Sequence, residues 1–70
     1  MDKAKMKAKM ALNEDNQEKL AEALNLSVSG VNARINGKID FRASEIRKII
    51  RRYKLSEKET SEIFFDGIAS

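Results

Sequence analysis

The sequence predicts an all-α fold, with five short helices in one domain that spans residues 1–70. The chain contains no proline and only three glycines, so few residues interrupt a helical backbone. Apolar residues also recur at the spacing of one helical face, most clearly at Ile46, Ile49, Ile50 and Tyr53. Because a chain of this length buries only roughly 60% of its unfolded surface, we expect a small core.

The first two helices are predicted from polar residues that can cap them. Asp2 can cap a helix that extends to about Leu12, and Asn16 can cap a second helix over Gln17–Leu24. Asn25 follows, and asparagine tolerates the left-handed backbone that commonly ends a helix. Both helices therefore have a predicted start, and the second also has a predicted end.

The three remaining helices are predicted over 28–36, 43–53 and 57–65. Ser27 can cap the first of them, and Gly37 ends it. Ser56 and Glu59 have the spacing of a capping box, which predicts the start of the last helix. The connections are short, as expected for a compact helical domain.

Composition excludes most kinds of chemistry. Without histidine or cysteine the chain has no Cys/His zinc site, Ser–His triad, thiol nucleophile or disulfide. We therefore expect no enzyme activity, metal, cofactor or small-molecule substrate. No apolar run approaches the ~20 residues of a membrane span, and no secretory signal is visible, so we expect a cytoplasmic protein without a membrane partner.

Basic residues concentrate in the middle of the chain. The net charge is only +3, but residues 27–54 carry eight basic and two acidic side chains. The neighbouring segments 11–26 and 55–70 each carry one lysine against four acidic residues. A basic segment is typical of a protein that binds a polyanion, although the exposed charges of a solvated helix give the same pattern.

Residues 16–37 have the organisation of a helix-turn-helix, two short helices joined by a tight turn. Ala21 is small enough to let the two helices approach closely, and we expect Leu26 to fill the turn. Val31 and Ile35 lie four residues apart and are predicted to face the core. The opposite face of the later helix is small and polar, as required of a helix that enters the major groove of DNA.

The segment from Gln17 to Lys38 resembles the helix-turn-helix of lambdoid phage repressors and Cro proteins, also called Xre-type. The family pattern is Q-x-x-L-A-x-x-x-G-[VI]-S-x-x-x-[VI]-x-x-x-x-N-G-K, and the resemblance covers about 22 residues. It implies a lambda-repressor-like DNA-binding domain with the helix-turn-helix in helices 2 and 3. It also implies a small regulator encoded by a bacterial phage or prophage, with double-stranded DNA as its partner.

The resemblance implies roles for particular residues. The outward positions that would read bases are Val28, Ser29, Asn32 and Ala33. The positions implied to contact phosphate are Asn16, Gln17, Arg34, Asn36, Lys38 and Arg42, and Gln17 can instead support the recognition helix. The basic residues further along the fourth helix are interpreted as a solvated face or a partner patch: Arg47, Lys48, Arg51, Arg52 and Lys54.

Two departures from the family pattern affect this interpretation. Where relatives pair an arginine in the first helix with an acid in the recognition helix, this chain has Met10 and Ile35, which predicts an apolar contact. The positions expected to read bases also offer few specific contacts, because valine and alanine can contact only the methyl group of thymine. Asn32 is the best candidate for a bidentate contact with adenine.

Two partner hypotheses remain. Phe65 and Ile68 exceed what a small core can bury, so we expect them to form part of a homodimer contact. The alternative to DNA binding is an antirepressor or modulator, which would use the same scaffold to bind another phage regulatory protein.

Overall fold

The computed structural model describes residues 1–65, and within them the chain forms five helices and no strand, as predicted. The helices are α1 (Lys3–Leu12), α2 (Gln17–Leu24), α3 (Val28–Ile35), α4 (Ala43–Tyr53) and α5 (Glu57–Thr60), which continues as a π-helix over Ser61–Phe65.

The predicted caps of the first three helices are confirmed. In each case a side-chain oxygen accepts the backbone N–H three residues later, at 3.1 Å for Asp2, 2.8 Å for Asn16 and 3.0 Å for Ser27. These bonds satisfy backbone donors that have no partner inside the helix. Asn25 adopts the expected left-handed conformation at the end of α2, with φ of 58°.

The last helix differs from the prediction. Its capping box is present, but the α-helical part ends at Thr60 and the remainder of the predicted 57–65 segment has π-helical winding. Two consecutive side chains in this stretch pack inward: Ile63 is fully buried, and Phe64 packs edge-on against Phe41, with 5.9 Å between ring centroids. The wider winding of a π-helix brings two consecutive side chains closer to one face than the winding of an α-helix does.

One hydrophobic cluster joins α1, α2, α3, α4 and the π-helix. Its buried members are Met6, Met10, Leu20, Ala21, Leu24, Val31, Ile35, Phe41, Ile49, Tyr53, Leu55 and Ile63. Met10 and Ile35 both belong to it, which agrees with the apolar replacement expected at the two positions where relatives carry an ion pair. Leu26 is only half-buried, so it covers the turn between α2 and α3 and does not fill the interior.

The beginning of the chain is attached to its last helix. The backbone N–H of Asp2 donates to the carbonyl of Ile63 at 2.7 Å. The side chain of Asp2 also caps α1. Asp2 therefore fixes the start of α1 twice, through its backbone N–H and through its side chain. In the described part of the chain, no helix combines the length and the apolar character that crossing a membrane requires.

Candidate nucleic-acid interface

The exposed face of α3 carries the residues predicted to read bases. Val28 is 45% exposed, and Ser29 and Asn32 are also exposed. Ala33 is half-buried, so it contributes less to this surface than predicted. The inward residues Val31 and Ile35 anchor the helix in the core, which leaves the polar face free to approach a partner.

A row of hydrogen-bonded side chains crosses this surface and links three helices. The Asn32 amide nitrogen donates to Gln17 Oε1 at 3.3 Å, and the Asn36 amide nitrogen donates to Asn32 Oδ1 at 3.0 Å. The Lys3 ammonium then donates to Asn36 Oδ1 at 2.6 Å. Gln17 thus contacts α3 through Asn32.

Asn32 keeps hydrogen-bonding capacity for a base. A primary amide has two N–H donors and an oxygen with two lone pairs. Each of its two polar atoms is engaged once, by Gln17 and Asn36, so one donor and one acceptor position remain. This is the pair of groups that a bidentate contact with adenine requires, and the two neighbours hold the amide in one orientation.

The position of Arg34 corrects its predicted phosphate contact. Its side chain is 9% exposed and is directed inward, because position 34 lies three residues after Val31 on the side of α3 that faces the core. Its Nε donates to Glu45 Oε1 at 3.0 Å, and its Nη1 donates to the Gly30 carbonyl at 3.0 Å. The guanidinium is therefore engaged in an internal ion pair and does not belong to the exposed surface.

Glu45 was not singled out by the sequence pattern. Its Oε1 also accepts the backbone N–H of Arg42 at 2.8 Å, so one carboxylate binds Arg34 and closes the first turn of α4. An acidic residue three positions after a helix start is a signal for such a bond. Nothing in the local sequence, however, identifies Arg34 as its second partner.

The remaining predicted phosphate contacts lie at the start of α2, at the end of α3 and along the loop that leads to α4. Asn16, Asn36, Lys38 and Arg42 are exposed, and Gln17 is half-buried. The side-chain oxygen of Asn16 is used as the cap of α2, while its amide nitrogen is free to donate. The first turn of α2 adds backbone N–H groups and the positive end of the helix dipole, both of which favour phosphate.

A second polar cluster holds the α1–α2 connection against α4. Arg52 binds both carboxylate oxygens of Asp15, at 2.8 and 2.9 Å, and the Tyr53 hydroxyl donates to the same carboxylate. The bond from Arg52 is the main cause of the lowered pKa of Asp15, which falls to about 2. Burial, followed by the bond to Asp15, raises the pKa of Tyr53 well above its usual range.

Arg52 is exposed, as expected of a solvated face, and its guanidinium in addition binds Asp15. The other four basic residues of that set are exposed, as expected: Arg47, Lys48, Arg51 and Lys54. Since Asp15 immediately precedes the cap of α2, the ion pair fixes the loop from which the interface begins.

An apolar groove lies beside the predicted dimer contact. Phe65 is 48% exposed and borders a cavity of about 400 Å³ whose lining includes Ile39, Phe41, Ile46 and Phe64. Ile68, the other predicted contact, lies outside the described residues. The homodimer therefore stays a prediction.

Within residues 1–65 no cluster of three or more acidic side chains is arranged to hold a metal ion. A family model described as helix-turn-helix matches residues 6–59, which include most of α1, all of α2 to α4 and the start of α5. No curated protein and no solved structure matches the chain.

Proposed function

The chain belongs to the helix-turn-helix family of DNA-binding regulatory domains, and we propose that it is a transcriptional regulator of the phage repressor or Cro type. In this proposal α3 enters the major groove of double-stranded DNA. The observation that carries it is the row Gln17–Asn32–Asn36, which presents an oriented amide on the exposed face of α3.

Base reading is assigned to the outward residues of α3. Asn32 contacts adenine through its remaining donor and acceptor, and the exposed methyl groups of Val28 contact thymine. Ser29 supplies a hydroxyl that can donate to a base acceptor or accept from a base donor, and Ala33 supplies a small apolar contact. Few of these contacts are specific, so the shape of the DNA would contribute much of the sequence preference.

Phosphate binding is assigned to the half-buried Gln17 and to four exposed residues around the reading face: Asn16, Asn36, Lys38 and Arg42. Arg34 is left out because its guanidinium is engaged with Glu45. These contacts fix the register of the protein on the duplex and carry the dependence of affinity on salt.

A homodimer would place two copies of α3 in successive turns of the groove, ~34–36 Å apart. Phe65 lies at the exposed apolar edge that supports this assembly. The preferred operator would then be an inverted repeat of two half-sites.

Selection of bound sequences from a random duplex library, at a stated salt concentration, tests the proposal. Asn32→Ala should relax the preference at one base position, whereas Lys38→Ala should weaken all sequences alike and reduce the salt slope by about 0.9. Arg47→Ala, an exposed cation on α4, serves as the control and should change neither quantity.

Absence of binding to any duplex at low salt would refute the proposal. Retained binding to a phage repressor protein in that case would instead identify a protein-binding module. Binding without any change on substitution of Asn32 would show that the docking of α3 is wrong.

A further inference from the structure

The four lysines of α1 divide into two pairs on different sides of the helix. Lys5 and Lys9 lie four residues apart, on the side that faces the last helical segment. Lys9 forms an ion pair with Glu59, and Lys5 Nζ lies 3.9 Å from a carboxylate oxygen of Glu62. The Lys9 ammonium is the main reason that the pKa of Glu59 is lowered to about 2. Carboxylates therefore balance the charges of Lys5 and Lys9 on this side of α1.

The other pair has no such compensation. Lys3 and Lys7 also lie four residues apart, and both side chains are exposed. Lys3 Nζ donates to the neutral amide oxygen of Asn36 at 2.6 Å. Among residues 1–65, no carboxylate lies within ion-pair distance of Lys3 or Lys7.

The contact with Asn36 places this side of α1 next to the end of the recognition helix. We propose that Lys3 and Lys7 form a second DNA-backbone contact, which binds phosphates beside the groove segment that α3 reads. The proposal rests on the proposed function. It identifies the side of α1 as an interaction surface and double-stranded DNA as its partner.

The chemistry of the Lys3 contact suits phosphate binding. The ammonium has three N–H donors, of which Asn36 occupies one, so two remain for phosphate oxygens. The Asn36 amide does not reduce the charge of the lysine, whereas the carboxylate of Glu59 largely compensates Lys9. The charge of Lys3 is thus available to a polyanion next to the predicted phosphate contact of Asn36.

The backbone near Lys3 is already ordered. Asp2, the preceding residue, bonds to the Ile63 carbonyl at 2.7 Å and caps α1 through its side chain. Binding of phosphate therefore orders only side-chain torsions and not a loose terminal segment, which lowers the entropic cost of the contact.

Affinity for a duplex measured over a range of salt concentrations tests the proposal on the full chain. Neutralising one lysine that binds phosphate should reduce the slope of log Kd against log salt by about 0.9. We expect this reduction for Lys3→Gln and again for Lys7→Gln, with a smaller slope still for the double variant. Lys5→Gln removes one charge from the same helix and is the matched control, for which we expect an unchanged slope.

Two further variants make the outcome specific. Lys3→Arg retains the charge and should retain the wild-type slope. Asn32→Ala should relax base preference while leaving the lysine contribution in place. Circular dichroism checks that each variant is folded.

The proposal is overturned if Lys3→Gln and Lys7→Gln bind with the wild-type slope, or if Lys5→Gln reduces the slope equally. If the protein still shows a base preference that depends on Asn32, either result leaves the proposed function unaffected. If the wild-type chain binds no duplex, the proposed function and this contact both fail.

Discussion

Substitution of Arg34 by methionine separates a structural role of this residue from a role in DNA binding. The side chains of Arg34 and Glu45 are only 9% and 7% exposed, and their Nε and Oε1 atoms lie 3.0 Å apart. Removing one partner of a buried ion pair costs about 3–5 kcal/mol, because the other charge stays buried without compensation. A 70-residue domain has a total free energy of unfolding of only about 4–10 kcal/mol.

We therefore expect Arg34→Met to lose about half of the stability or more, measured by urea denaturation and circular dichroism. Replacing Glu45 by methionine as well should restore part of the loss, since two apolar side chains then face each other. Recovery is incomplete because Glu45 also caps the backbone of Arg42, a contribution of about 1 kcal/mol. Arg47→Met, at an exposed position, should change stability by less than about 0.5 kcal/mol.

The reasoning is refuted if Arg34→Met unfolds at the wild-type urea concentration. A reduction of the salt slope of DNA binding by about 0.9, with stability unchanged, would show that Arg34 binds phosphate at the surface. A double variant whose loss of stability equals the sum of the two single losses would show that the two side chains do not interact.

Three further predictions concern other contacts. The pKa of Asp15 is lowered from 3.8 to about 2, so its carboxylate stabilises the fold above about pH 4. This contribution of roughly 2 kcal/mol is lost as the pH falls toward 2. Urea denaturation at neutral and acidic pH should show a weaker pH dependence for Asp15→Asn, and an equal dependence would contradict the prediction. Gln17→Ala should relax the base preference assigned to Asn32, measured by competition between duplexes that differ at one base pair. An unchanged preference would show that Gln17 does not orient the Asn32 amide. Phe65→Lys should shift sedimentation from dimer to monomer without loss of helicity, whereas a wild-type protein that is monomeric at high concentration would disprove the dimer.

Local features of the structure were predictable from the sequence because their causes are local. Asp2, Asn16 and Ser27 each cap a backbone N–H only three residues away, so residue type and position are sufficient. The bounds of α2 follow from the same signals, and those of α4 from the period of its apolar residues.

The polar contacts that shape the site were not predictable in the same way. Lys3 bonds to Asn36 across 33 positions, and Arg52 bonds to Asp15 across 37. Partners this distant meet only after the helices have packed. The sequence alone does not distinguish a lysine or arginine that will form such a contact from one that stays solvated. The partner of Arg34 was not predictable for the same reason, because it depends on where α4 places Glu45.

The bond between Asp2 and Ile63 also has a consequence for the order of folding. The two residues lie 61 positions apart, whereas α2 and α3 are separated by a three-residue turn. Closing the larger loop costs more chain entropy, so we expect the helix-turn-helix to assemble before α1 docks against the π-helix. In native-state hydrogen exchange, α1 and the π-helix should then open together as one unit at a lower free energy than the rest, and Lys3 would leave the recognition surface whenever that unit opens.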